Sequence, residues 1–356
     1  MAERNTEKDI KPQYQWVDIL KFFFCVCIIA MHTPLALPGR FWAEKIVFRL
    51  GVPFFFAASG FFLSKSCKSR GIGTGVKRYC LRLFQLLWVF SIVWIIQYAV
   101  DGLFIREAGI GRTALEILQR ILFEPQGALW YIQASLIGAL MLLPFLKRNR
   151  MRTAVALGIV LYVFAEMCNN YYFAVEGTPL QPIVDSYLKY CLTSNNGVLV
   201  GFLFLALGVC VEQFRLYEKT GLVRILLIVG MVVYIAEIAV IRPMQTETGD
   251  GAFYFTQVLI APMLLAAVIP LPQCIANERA VLLRNLSTGM YLLHLPIMWC
   301  YNRFADYILP HIPVLRHASG LVYFSYTKFA VVLLLSMAIC LLAYRRPQSF
   351  ICKVLK

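Results

Sequence analysis

From about residue 15 almost to its end, the chain sets long apolar runs between short polar or basic segments. Many runs reach 17 residues, enough for a helix to cross a hydrocarbon core about 30 Å thick. They lack the strict alternation of a transmembrane barrel strand. The pattern predicts an all-α, polytopic transmembrane helical bundle of about ten spans. The first begins at the interfacial aromatics Tyr14 and Trp16 and ends near Leu35, where Pro34 and Pro38 stop it. The others fall near Ile46–Leu63, Leu83–Val100, Leu129–Leu146, Thr153–Cys168, Val198–Val211, Val223–Ile241, Phe253–Leu271, Leu286–Tyr301 and Phe329–Tyr344. Pro262 lies inside the eighth.

The segments between them have their own character. Lys65, Lys68, Arg70, Lys77 and Arg78 read as a basic loop after the second span. Arg112 to Phe123 has Leu115, Leu118, Ile121 and Leu122 on one face and Arg112, Glu116, Gln119 and Arg120 on the other. It is predicted to lie along the membrane interface. Asn169 to Asn196 reads as a long polar loop. Ten spans put both termini on one side, and that side carries 22 Lys and Arg against 11 on the other. The bias predicts cytoplasmic termini. The chain reads as a single integral-membrane domain, residues 1–356, with a polar N-terminal segment (1–15) and a basic tail (345–356), both cytoplasmic. The first run is preceded by polar residues and lacks a cleavage pattern, so it is expected to be retained. A bacterial plasma membrane is the expected location.

Composition agrees with this reading. The chain is 60% hydrophobic and 15% charged, where a soluble domain carries about a quarter charged residues. The net charge of +15 is spread over short loops, which argues against nucleic acid. The eleven cysteines form no CxxC pattern. Cys168 and Cys191 could meet on the outer side, but neither a disulfide framework nor a metal site is predicted.

The first span carries the unusual chemistry. Asp18, Lys21, Cys25 and His32 fall on one stripe. Lys21 and His32 are eleven residues apart, which leaves them about 20° apart around the axis and about 16 Å apart along it. Ionisable groups cost at least a few kcal/mol inside a bilayer, so the stripe should face protein or a watery cavity. With the predicted orientation Lys21 lies near the inner face and His32 in the outer half. An imidazole can take a proton from a hydroxyl or accept an acyl group. A lysine can hold a phosphate, and Asp18 can fix it in place. The plainer alternatives are a helix-end histidine with satisfied hydrogen bonds and a lysine that snorkels to the headgroups.

Four stretches resemble the membrane-bound acyltransferase family 3, integral-membrane O-acyltransferases of cell-surface glycans. They are Lys21 with His32, Gly51 to Phe61, Leu129-Trp130-Tyr131, and Ser287, Tyr291, Leu292, His294 and Pro296. They occur in the family's order. Two positions depart from it: Lys21 stands where Arg is commoner, and Ala128 where His often precedes Leu-Trp. The resemblance implies transfer of an acyl group, usually acetyl, from cytoplasmic acyl-CoA to a hydroxyl of an extracytoplasmic glycan or its lipid-linked precursor. The acyl-CoA is a co-substrate, and no tightly bound cofactor is expected. It implies that His32 is catalytic and that Lys21, with Asp18, contacts the donor phosphates. Further members of a phosphate clamp are not assigned, although Lys77, Arg78 and Arg82 lie on the inner side. Ser59, Trp130, Tyr131, Tyr291 and His294 are candidate substrate or core residues. For Ser59 and Gly60 the competing role is helix packing; for Trp130 and Tyr131 it is anchoring at the interface. Arg242 and Arg303 flank spans on the outer side, and His311 and His317 fall in an outer loop. A different function class is a carrier of a small polar solute such as serine, as in the membrane part of serine racemases of vancomycin-resistance systems. A receptor or scaffold leaves the polar stripe unexplained.

Overall fold

A computed structural model describes residues 14–33, 35, 37–123, 127, 129–244, 252–307, 321–346 and 348. The described residues form helices and no strand. In order they are α1 (Gln15–His32), α2 (Arg40–Ile46), α3 (Gly51–Arg70), α4 (Ile72–Val100), α5 (Ile110–Phe123), α6 (Leu129–Lys147) and α7 (Met151–Met167). After these come α8 (Gln181–Cys191), α9 (Phe202–Gln213), α10 (Thr220–Ile241), α11 (Gln257–Val268), α12 (Asn277–Tyr307) and α13 (Leu321–Arg345). Lipid tails are as apolar as leucine, so close packing and internal hydrogen bonds must hold such a bundle together.

α3 is the central helix and packs most extensively against α9. Both contribute small residues at the crossing. A Cβ added to Gly60 would overlap the Leu205 carbonyl, and one added to Gly208 would overlap the Ala57 carbonyl. Phe54, Phe56 and Phe61 on α3 and Phe202 and Phe204 on α9 are fully buried around this contact. The outward faces of α4, α10 and α13 stay apolar and exposed, with Trp88, Ile228 and Leu342 more than half accessible. That is the surface a hydrocarbon solvent requires.

α1 and α12 run parallel. Gln15 fastens their starts: it donates to Asn277 Oδ1 (2.7 Å) and accepts from the backbone N–H groups of Cys274 and Ile275 (3.1 and 3.2 Å). α3 runs the other way. Gly51 at its start abuts Phe24 and Ile28, while Lys65 donates to Tyr14 at the start of α1 (2.6 Å). Elsewhere a half-buried carboxylate does the joining. Glu237 of α10 accepts the backbone N–H groups of Phe255 (2.7 Å) and Thr256 (3.0 Å), together with the hydroxyls of Tyr171 and Thr256. These contacts satisfy donors that the start of α11 leaves unpaired.

Several expectations need correction. Among the described residues six helices are able to cross a membrane by length and composition, not ten: Gln15–His32, Arg40–Arg70, Ile72–Ile105, Leu129–Lys147, Thr220–Met244 and Ser325–Arg345. The predicted sixth and eighth spans fold as the shorter apolar helices Gly197–Gln213 and Gln257–Val268. The predicted ninth lies inside the 31-residue α12, whose first turns carry Glu278, Arg279 and Arg284. The basic loop is mostly helix. Lys65, Lys68 and Arg70 extend α3, Lys77 and Arg78 begin α4, and the turn is the single residue Gly71, whose φ of +84° suits glycine. The polar loop after α7 contains α8, because Val184 has a buried niche against Cys168, Tyr172 and Val175. The amphipathic helix is present as α5. Arg106 and Arg112 both bind Glu116 there and hold its carboxyl below the usual range. Pro34, Ala128, His311, His317, residues 1–13 and most of the tail lie outside the described residues.

Candidate functional site

The stripe on α1 reaches two polar clusters. At the inner end Asp18 is buried and pairs with Arg284 of α12 at 3.9 Å. Lys21 lies within electrostatic range of Asp18, Arg284 and Arg82 of α4, and its ammonium sits 4.9 Å from the centre of the Phe62 ring. Arg82 in turn sits among Arg284, Arg78, Tyr79 and Tyr344. Three cations therefore share one carboxylate. The contrast with Lys68 is clear, since Glu212 matches that charge at 2.8 Å. A surplus of positive charge in a partly desolvated place favours an anionic ligand. Lys77 is exposed.

A group of hydroxyls adjoins these cations. Ser59 Oγ and Tyr131 Oη are 2.9 Å apart. Tyr79 lies close to Ser59 and Ser135, yet Tyr79 Oη and Ser135 Oγ are buried without completing a hydrogen bond of normal geometry. From Tyr131 a run of rings leads to the other end of the stripe. Tyr131 is 5.6 Å from Tyr291, Tyr291 is 5.8 Å from His294, and His294 is 5.4 Å from His32, measured between ring centres. Phe55 closes one side against both tyrosines.

His32 ends α1 and stays accessible. The charges acting on it are Arg49 and Glu44, which pair with each other at 3.3 Å. His294 is 1% exposed. Its Nδ1 lies 2.6 Å from the Tyr291 carbonyl oxygen, which can only accept, so Nδ1 carries the proton.

The structure thus brings together Asp18 and Lys21 at one end, His32 and His294 at the other, and Ser59, Tyr131 and Tyr291 between them. Trp130 is not among them. It turns away to pack on Phe56 and Phe253. Two flanking arginines are engaged elsewhere: Arg303 pairs with Asp101 at 2.6 Å, and Arg242 stacks 4.3 Å from the Phe41 ring. Sequence reasoning missed Arg284, Tyr79 and Ser135. Arg284 was the most findable, a lone cation three residues before the Ser287 motif. Tyr79 and Ser135 lie in apolar runs with no local signal.

A family model described as "Acyltransferase domain" (Acyl_transf_3) matches residues 14–345. The chain belongs to this acyltransferase family. As a member it is a multi-pass protein of the plasma membrane, with several helices long and apolar enough to span it. Its curated relatives carry other names. It is 25% identical over 346 residues to an "Amino-acid racemase" of Enterococcus faecalis, an alignment covering 94% of this chain and 46% of that protein. It is 23% identical over 262 residues to a "Serine/alanine racemase" of Enterococcus gallinarum, covering 68% of this chain and 36% of that protein. The acyltransferase chain thus spans less than half the length of these relatives. No solved structure matches it.

Proposed function

We propose that this protein moves an acyl group, in the first place acetyl, from cytoplasmic acyl-CoA to a hydroxyl of an extracytoplasmic glycan or its lipid-linked precursor. One observation carries the reading: a run of polar and aromatic side chains leads from a cation-rich cluster to an accessible histidine through the bundle. Lys21, Arg82 and Arg284 hold the donor's phosphates, with Asp18 orienting Arg284. The extended arm lies along Tyr79, Ser59 and Tyr131 and delivers the thioester toward Tyr291. His32 takes the proton of the acceptor hydroxyl as its oxygen bonds to the acyl carbon. The carbon–sulfur bond breaks, and the leaving thiolate receives that proton. The direction of the path, Lys21 inside and His32 outside, is part of this proposal.

The test uses the reconstituted protein, acetyl-CoA labelled in the acetyl group, and membrane glycan fractions. His32→Ala is expected to abolish labelling while the purified variant keeps the wild-type elution profile. Labelling that survives in His32→Ala would sink the assignment. A second reading, a carrier of small polar solutes, draws on the racemase names of the curated relatives. It expects serine uptake into vesicles without CoA release.

A further inference from the structure

We propose that His294 is a positioning residue that fixes the tautomer of His32. This rests on the reading of His32 as the base. α1 and α12 are parallel and joined at Gln15 and Asn277, and each histidine lies seventeen residues beyond its end of that link. The two rings therefore meet at one level. His294 donates its Nδ1 proton to the Tyr291 carbonyl, so Nε2 is left as a lone-pair acceptor. That Nε2 is buried with no hydrogen-bond partner. An orphaned acceptor in a protein core is costly, and such an atom calls for an explanation. Among the described residues the His32 ring packs against that of His294, and an imidazole N–H can serve as the donor. Two imidazoles joined by an N–H···N bond have centres roughly 5 Å apart: about 3 Å between the nitrogens and roughly 1 Å from each nitrogen to its ring centre. The observed separation is 5.4 Å, with the rings tilted by 38°. A small rotation of the His32 ring completes the bond.

The consequence is chemical. One nitrogen of His32 is committed as an N–H toward His294. The other keeps its lone pair toward the accessible side, where an acceptor hydroxyl arrives. When His32 takes the hydroxyl proton, the N–H toward His294 is retained and the bond strengthens. In serine-protease triads a carboxylate plays this part, and disturbing the tautomer lowers kcat by about 10⁴. A neutral imidazole acceptor is weaker, so a smaller effect is expected.

The chain holds four histidines, few enough for their ring nitrogens to be followed by nitrogen-15 NMR of the full-length protein in detergent. The His32 signals are assigned by their loss in His32→Gln. Wild type should show one His32 tautomer, and His294→Phe a mixture. His294→Phe should lower kcat about 100-fold or more, with KM for acyl-CoA within about twofold. His294→Gln, which returns an acceptor oxygen near the Nε2 position, should recover at least tenfold of that loss. A tautomer mixture in wild type overturns the proposal, as does a Gln variant no better than Phe, or a loss confined to KM. If wild type transfers no acyl group, the acyltransfer reading fails, while the spectrum still decides whether His294 sets the His32 tautomer.

Discussion

Lys21 differs from an ordinary snorkelling lysine in its company. It has two arginines and one carboxylate within electrostatic range, and its ammonium sits over the Phe62 ring. If the cluster holds phosphate, Lys21→Gln should raise KM for acyl-CoA about 10- to 100-fold, the usual worth of a charged hydrogen bond, and kcat should fall less. Lys21→Arg should stay within a few-fold of wild type, because it keeps the charge. Initial rates against acyl-CoA concentration check both, and a Gln variant with unchanged KM removes Lys21 from the donor site. The α1 stripe was legible in the sequence because helical periodicity is a local property. The partners of Asp18 and His32 were not. Arg284 and His294 reach them from a helix more than 250 residues away, and only packing decides which helix that is.

At the scale of elements, the α3–α9 contact depends on the missing side chains of Gly60 and Gly208. Gly60→Ala should destabilise the protein by roughly 1–3 kcal/mol or more, since the added methyl meets backbone that cannot rotate aside. Gly221 near the start of α10 has open space where a Cβ would stand. Gly221→Ala should be neutral or slightly stabilising through helix propensity. Thermal unfolding of the two variants in the same detergent separates the cases, and equal melting points would contradict the packing argument. The apolar runs all fold as helix, so hydropathy located the elements well. Their ends were harder to read. The charged turns of α3 and α4 continue the helices past the apolar run, because helical hydrogen bonds do not depend on what the side chains prefer as solvent. Counting spans failed for a related reason. Hydropathy does not separate a membrane-spanning helix from a short apolar helix buried by its neighbours, such as α9 and α11.

For the whole molecule, the proposed direction of transfer requires a definite orientation. A single cysteine at the α6–α7 turn (Asn149→Cys), in a background without reactive thiols, should resist an impermeant maleimide in intact cells. One at Thr178, between α7 and α8, should react. The reverse pattern would place Lys21 outside and leave no route for a cytoplasmic donor. The fold class was legible from the length of the apolar runs and their lack of alternation. The arrangement that gathers α1, α3, α4, α6 and α12 around one polar path was not, since no local feature of those runs encodes which neighbour each will take.

The Gln15 link also bears on where the two histidines sit. It makes three hydrogen bonds from one side chain, one to Asn277 of α12 and two to the backbone just before that helix, so the starts of α1 and α12 are held in one register. The two histidines lie seventeen residues further along each helix, about 25 Å away, so the link sets the register that brings their rings level, and the packing of α1 on α12 keeps them there.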